Sequence, residues 1–128
     1  MKIEHIAIWA SDLEVLKDFY CRYFGGTPGE KYHNPKKNFT SYFISFDSGC
    51  RLEIMNAPAI GKAEPGGVVY AGLAHFSIST GSREAVDEMT ERLRRDGYTI
   101  TGEPRVTGDG YYESVVTDPE GNLVEITI

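Results

Sequence analysis

Cysteine is scarce in this chain: Cys21 and Cys50 are the only two in 128 residues. Two thiols make no disulfide framework, and a reducing, cytoplasmic setting is the expectation. Long apolar runs are missing as well. No stretch approaches the roughly 18–20 residues that a membrane-spanning helix needs. The opening Met1-Lys2-Ile3-Glu4-His5 lacks the charged-then-apolar layout of a secretion signal. A basic excess is also absent, since 13 Lys+Arg stand against 19 Asp+Glu, a formal charge of −6. With no basic stripe to displace counterions from a phosphate backbone, no nucleic-acid partner is expected. What is present suffices for a core: 41% apolar and 12% aromatic residues, in a length that suits one domain. The composition predicts a soluble α+β domain that handles something small, with neither membrane nor nucleic acid as a partner.

Internal repetition is the strongest organising signal. His5-Ile6-Ala7-Ile8 opens one segment, and His75-Phe76-Ser77-Ile78 opens another 70 residues later. Each run alternates like a half-buried strand and is followed at once by a helix signal. In the first copy Ser11-Asp12-Leu13-Glu14 reads as a capping box with Ser11 as the cap. Leu13, Leu16, Phe19, Tyr20, Tyr23 and Phe24 then recur at helical spacing until Gly25-Gly26. In the second copy Ser82 is the expected cap and Val86, Met89 and Leu93 the apolar stripe. Arg92, Arg94 and Arg95 suit the negative C-terminal end, and Gly97 is the stop.

Strand-like runs follow each helix. The first copy has a short one between Thr27 and Tyr32, interrupted by Pro28 and Gly29, then Phe39 to Phe46, an Asp47-Ser48-Gly49 turn, and Arg51 to Met55. The second has Tyr98 to Gly102, Tyr111 to Thr117, an Asp118-Pro119-Glu120-Gly121 turn, and Leu123 to Ile128. The chain 1–128 is thus expected as a single domain of two βαβββ modules, 1–56 and 72–128. A Pro- and Gly-rich linker at 57–71 joins them and is placed to overhang a site as a lid. A pseudo-symmetric pair of curved sheets backed by helices follows, a cup-shaped mixed β-sheet.

Side chains alternate across a strand, so faces can be assigned directly. Ile6 and Ile8 share a face with Glu4, and His5, Ala7 and Trp9 share the other. Leu52 and Ile54 oppose Arg51, Glu53 and Met55. Phe76 and Ile78 oppose His75, Ser77 and Ser79, while Val124 and Ile126 oppose Leu123, Glu125 and Thr127. Each of the four runs therefore has an apolar face for a helix and one His or Glu on the other. A single His or Glu on a strand is usually a half-exposed residue without function. Four at repeat-equivalent, same-face positions point to a metal site. Imidazole nitrogen and carboxylate oxygen suit a divalent first-row cation, and two glutamates cancel its charge. His5, Glu53, His75 and Glu125 are the expected ligands of one divalent ion (Zn, Ni, Co, Mn or Fe).

Over nearly its whole length the sequence resembles the vicinal-oxygen-chelate (glyoxalase/bleomycin-resistance/dioxygenase) superfamily. The segments that carry the resemblance are His5-Ile6-Ala7-Ile8, Phe19-Tyr20-Cys21-Arg22-Tyr23-Phe24-Gly25, Leu52-Glu53-Ile54 and His75-Phe76-Ser77-Ile78. The most specific is Asp118-Pro119-Glu120-Gly121-Asn122-Leu123-Val124-Glu125-Ile126. The resemblance implies paired βαβββ modules forming a cup around a metal, and assembly as a homodimer. The ligand order His, Glu, His, Glu of bacterial glyoxalase I matches His5, Glu53, His75 and Glu125 one for one. The retained Glu53 favours that branch over relatives with two His and one Glu.

The implied activity is that of a metal-dependent lyase or isomerase of lactoylglutathione lyase type, shifting a proton through a metal-bound enediolate. Glu125 would be the catalytic base and Glu53 its pseudo-symmetric counterpart. Coordination favours the charged form of a carboxylate, so the acting glutamate must loosen from the metal to work as a base. In bacterial glyoxalase I an Arg four residues after the first His helps hold the glutathione carboxylate; here that position is Trp9, which can stack but cannot pair with an anion. Trp9 and Asn56 are the substrate-binding candidates, and Arg51, Arg105, Lys36 and Lys37 are further cations that an anionic substrate could use. Other expectations of the same fold are an antibiotic-binding resistance protein without metal, with Trp9, Phe43 and tyrosines lining an aromatic cup, and an extradiol-type dioxygenase using His5, His75 and Glu125. Cys21 and Cys50 read as structural thiols.

Overall fold

Ile6 and Ile8 need cover that a lone strand cannot give, and so do Leu52 and Ile54. The chain provides it by pairing these two segments in parallel and laying a helix over their apolar face. In the computed structural model, which describes residues 2–60, 72–108 and 110–128, two compact units are present, Met1–Ala63 and Glu64–Ile128. The first runs β1 (His5–Trp9), α1 (Leu13–Phe24), β2 (Thr27–Pro28), β3 (Tyr32–Asn34), β4 (Phe39–Ser45) and β5 (Arg51–Asn56). The second runs β6 (Phe76–Ser79), α2 (Arg83–Arg95), β7 (Ile100–Val106), β8 (Tyr112–Thr117) and β9 (Leu123–Thr127). The fold is α+β: the second module is βαβββ, and the first follows the same plan with its expected Thr27–Tyr32 strand replaced by two short ones, β2 and β3, both paired to β4. Of the linker and lid expected at 57–71, residues 61–71 lie outside the described residues.

The first sheet has the order β1-β5-β4-β2, with β3 also paired to β4, and the second the order β6-β9-β8-β7. In both, the first strand lies parallel to the last, and the remaining pairs are antiparallel. A parallel neighbour needs a long crossover, which the helix and the intervening strands provide. In the first module Ile8, Leu16, Phe19, Tyr20, Ile44, Leu52 and Ile54 are buried; in the second, Val86, Leu93, Val116, Val124 and Ile126 are. Burying a side chain such as Leu16 or Ile54 stabilises by about 1.5–3 kcal/mol.

The structure differs from the sequence expectation in local ways, each with a physical cause. The cap of α1 is Asp12, not Ser11: the Val15 amide donates to Asp12 Oδ1 at 3.1 Å. Glu14 therefore does not close a capping box; its carboxylate accepts from Lys17 Nζ at 2.6 Å, Lys31 Nζ at 2.8 Å and Tyr42 Oη at 3.1 Å. The expected cap of α2 is present, with the Ala85 amide donating to Ser82 Oγ at 3.2 Å. On α2 the buried stripe is Val86, Thr90 and Leu93, and Met89 is only half-buried. The Thr90 hydroxyl tolerates the core because it donates to the Val86 carbonyl at 2.7 Å and meets Ser114 Oγ at 2.6 Å. Tyr98 does not open a strand; its amide donates to the Leu93 carbonyl at 3.0 Å and closes the end of α2 beside Gly97 at φ +90°. The strand starts at Ile100, and its pairing with β8 is irregular between Ile100 and Arg105. The Asp118 turn is as expected, with the buried carboxylate taking the amides of Glu120 at 3.0 Å and Asn122 at 2.9 Å.

The Lys17 and Lys31 ammonium groups lower the Glu14 carboxyl from 4.5 to about 2. A carboxylate held lower in the folded state stabilises fully above its unfolded value, and the gain fades as pH falls from about 4.5 toward 2. The Glu14 side chain is 48% exposed, so solvent screening keeps this below about 1 kcal/mol. Glu14→Gln is expected to lower unfolding free energy in urea at pH 7, with the difference from the parent shrinking on approach to pH 2.5. A difference independent of pH would rule out the ion-pair network as its source.

Candidate metal centre

Strand register brings the candidate ligands together in pairs. In the first module Ala7 lies opposite Glu53 across the β1–β5 ladder, and Phe43 faces Glu53 from β4. His5, two residues before Ala7, shares its face and sits diagonally from Glu53, with Nε2 3.7 Å from Glu53 Oε2. The second module repeats the arrangement: Ser77 and Val115 lie opposite Glu125, and His75 Nε2 is 3.3 Å from Glu125 Oε1. Both glutamate side chains are largely withdrawn from solvent, 15% and 18% exposed, whereas the imidazoles are 38% and 46% exposed. A carboxylate so placed needs positive charge beside it.

The donor set fits a divalent first-row cation. Metal–nitrogen and metal–oxygen bonds of about 2.0–2.2 Å put adjacent tetrahedral ligands roughly 3.4 Å apart, and the two N···O separations bracket that value. Among the described residues no group of three or more His, Cys, Asp or Glu stands together as a metal cluster. Each module thus presents two of the four expected donors.

Around His5 the structure adds one residue that the sequence did not mark as part of the site. Glu4, expected to share the face of Ile6 and Ile8, precedes β1, and its Oε2 lies 2.5 Å from His5 Nδ1. Arg51 donates from Nε to Glu4 Oε1 at 2.8 Å, with a second bond from Nη2. Hydrogen bonds from His5 and Arg51 lower the Glu4 carboxyl below its ordinary value. The Arg51 guanidinium also stacks over Phe43, 4.1 Å from the ring centroid, and Phe43 meets the His5 ring edge-on at 5.2 Å. Arg51 is therefore engaged by its own module.

The substrate candidates fall on different faces. Trp9 shares the face of His5, is 48% exposed and packs edge-on against Phe39, which in turn meets Tyr32. Asn56 lies on the opposite face of β5 from Glu53, and its amide donates to the Ala10 carbonyl at 2.7 Å and to that of Ser11 at 3.4 Å. That bond clamps the corner between β1 and α1, so Asn56 acts on the ligand face only through the strand end that carries Trp9. In the second module an open cleft of about 540 Å³ is lined by Thr101, Gly102, Glu103, Arg105, Val115 and Leu123. Val115 pairs with Glu125 and Leu123 shares its face, so the cleft adjoins that ligand. Arg105 reaches Glu113 at 3.5 Å there. Lys36 and Lys37 sit exposed in the turn between β3 and β4. Cys21 and Cys50 are free, and burial raises the Cys21 thiol above its ordinary value. Among the described residues no helix is long and apolar enough to cross a membrane.

Comparison with known proteins gives the same architecture. The family model described as the Glyoxalase/Bleomycin resistance protein/Dioxygenase superfamily matches residues 2–126. The uncharacterized protein YqjT of Bacillus subtilis (strain 168) is 27% identical over 97% of this chain and 96% of its own length. A glyoxalase family protein from Enterococcus faecalis is 26% identical, with a TM-score of 0.81, over 99% of this chain and 97% of that one. Glyoxalase I of Zea mays shares the fold, with a TM-score of 0.80 and 23% identity; the chain spans 44% of that protein's length.

The Asn56 clamp has a simple expected signature. Asn56→Ala should lower stability by about 1 kcal/mol, the usual net value of one such hydrogen bond, as read from the midpoint of urea unfolding. An unchanged midpoint would remove the corner from its list of supports.

Proposed function

Since the chain belongs to the Glyoxalase/Bleomycin resistance protein/Dioxygenase superfamily, whose family model matches residues 2–126, we propose that it is a metal-dependent lyase or isomerase of glyoxalase I type. It acts on a small substrate with adjacent oxygenated carbons and moves a proton between them. The observation that supports this most is the repeated His–Glu pair, held at the same register in both modules, at 3.7 Å and 3.3 Å. His5, Glu53, His75 and Glu125 are the proposed ligands of one divalent ion, brought to it within one chain or across a homodimer. When bound, such an ion supplies Lewis acidity toward substrate oxygens on which negative charge develops.

Glu125 is the proposed base. It takes the proton from one carbon and returns it to the neighbouring carbon, so the conversion needs no external oxidant or reductant. A cleft on the same face of the sheet is lined by its neighbours Val115 and Leu123, and His75 stands 3.3 Å from its carboxylate. Glu53, equally withdrawn from solvent, is its counterpart in the first module. Trp9, with Phe39 and Tyr32, offers an apolar wall on the ligand face of the first module. Trp9 stands where the glyoxalase I pattern places an Arg, so a substrate other than the glutathione adduct of methylglyoxal fits the proposal.

Purified protein is expected to carry a stoichiometric divalent metal, and chelation should abolish turnover. Methylglyoxal with glutathione, followed by a panel of thiol adducts and free hydroxycarbonyls, is the assay. A stoichiometric metal with no turnover on any of them would retire the reaction, and absence of bound metal would favour a binding protein of this fold. Glu125→Gln should lower kcat by at least about 100-fold, the scale of a lost general base, while retaining metal. Unchanged turnover would remove Glu125 from that role. Trp9→Ala is expected to raise KM more than it lowers kcat; equal KM values would take Trp9 out of substrate contact.

A further inference from the structure

His5 is held on three sides in a way that His75 is not. Its Nδ1 lies 2.5 Å from Glu4 Oε2, its ring edge meets Phe43 at 5.2 Å, and its Nε2 faces Glu53. Glu4 is itself fixed. Its carboxylate takes two bonds from the Arg51 side chain, and its backbone carbonyl accepts from the Arg51 amide at 3.1 Å. Arg51 is in register with His5 across the parallel ladder, and its guanidinium carbon lies over the Phe43 ring, 4.1 Å from the centroid. The four side chains form a closed ring of contacts, in which no member can turn without breaking two of them. At the repeat-equivalent positions of the second module stand Ala74, Leu123 and Val115, none of which can accept a proton or stack a cation.

A neutral imidazole has one N–H and one lone pair, and the hydrogen bond made by one nitrogen decides what the other can do. With Nδ1–H donated to Glu4, the lone pair sits on Nε2, the nitrogen that faces Glu53. We propose that Glu4, braced by Arg51 and Phe43, is a positioning residue that fixes the ring angle and tautomer of His5, so that Nε2 is presented as a metal donor. The proposal rests on the metal-centre reading above. Its physical basis is the support that an outer carboxylate gives to a ligating histidine, whose loss lowers metal affinity about 10- to 100-fold. The device belongs to one module only. His5 is preorganised as a donor, whereas His75 faces Glu125 and has no corresponding outer carboxylate on the preceding residue, Ala74.

The test is zinc affinity of the full chain, measured by chelator competition, in the parent, Glu4→Ala, Glu4→Gln and His5→Ala. His5→Ala reports on the metal centre itself. If it leaves zinc affinity unchanged, the metal-centre reading fails and this proposal falls with it. If His5→Ala weakens zinc strongly while Glu4→Ala binds within about twofold of the parent, the positioning role alone is overturned. The expected result is a loss of about tenfold in Glu4→Ala. Partial rescue is expected in Glu4→Gln, which keeps a neutral acceptor for Nδ1–H. Nitrogen-15 spectra of the zinc-loaded protein provide a second readout: the His5 Nδ1–H signal should be sharp and slowly exchanging in the parent and lost in Glu4→Ala, with the His75 signals unmoved. An identical His5 signal in parent and Glu4→Ala also overturns the proposal.

Discussion

Parallel pairing between the first and last strand of each module is the constraint on which the candidate centre depends. Once Ile8 and Ile54 are committed to the buried face under α1, strand periodicity leaves His5 and Glu53 no place but the other face. The same holds for Ile126 on β9, with Glu125 opposite. Neighbouring strands lie about 4.8 Å apart, a gap that a diagonal His and Glu close with their side chains alone. The placement of these candidate ligands is thus a by-product of core formation. A one-residue slip in either ladder would bury a carboxylate under a helix and expose an isoleucine, so the register is protected by the cost of both errors.

The two modules share this frame and differ in what surrounds it. At the position facing the glutamate from the adjacent antiparallel strand, one has Phe43 and the other Val115. The first module fills its ligand face with rings and an engaged cation: Trp9, Phe39, Tyr32, Phe43 and Arg51. The second leaves a cleft beside Glu125, with Arg105 at its edge. The two glutamates, alike in register and burial, thus stand in different surroundings.

Much of the frame was legible in the sequence because its signals were local and periodic. The repeated His-run, the apolar alternation, the Ser82 cap and the Asp118 turn each depend on a few neighbouring residues. What escaped depends on groups distant in sequence or on choices between adjacent candidates. Ser11 and Asp12 are equally good caps by type, and only the path of the chain into α1 selects Asp12. Thr90 was not part of the expected stripe, and its burial depends on Ser114, a partner 24 residues away. Asn56 was expected as a substrate contact from the family resemblance, and its bond to the Ala10 carbonyl was not foreseen. Its parity with Leu52 and Ile54 was the available signal that it faces the helix side. The Glu4–Arg51 link could have been suspected only from opposite charges flanking two strands expected to pair.

The disposition of cations bears on what the proposed site can accept. In the first module the Arg51 guanidinium donates to Glu4 and lies over the Phe43 ring. Drawing it toward a substrate anion would break both contacts and leave the Glu4 carboxylate without its brace. Arg105 differs: its contacts to Glu113 and to the Glu103 carbonyl are both long, at 3.5 Å, and it stands at the edge of an open cleft. A guanidinium held so loosely gives up little when an anion replaces those contacts. In the second module an anion can therefore displace the Arg105 contacts at little cost, whereas in the first module Arg51 is held by both of its partners.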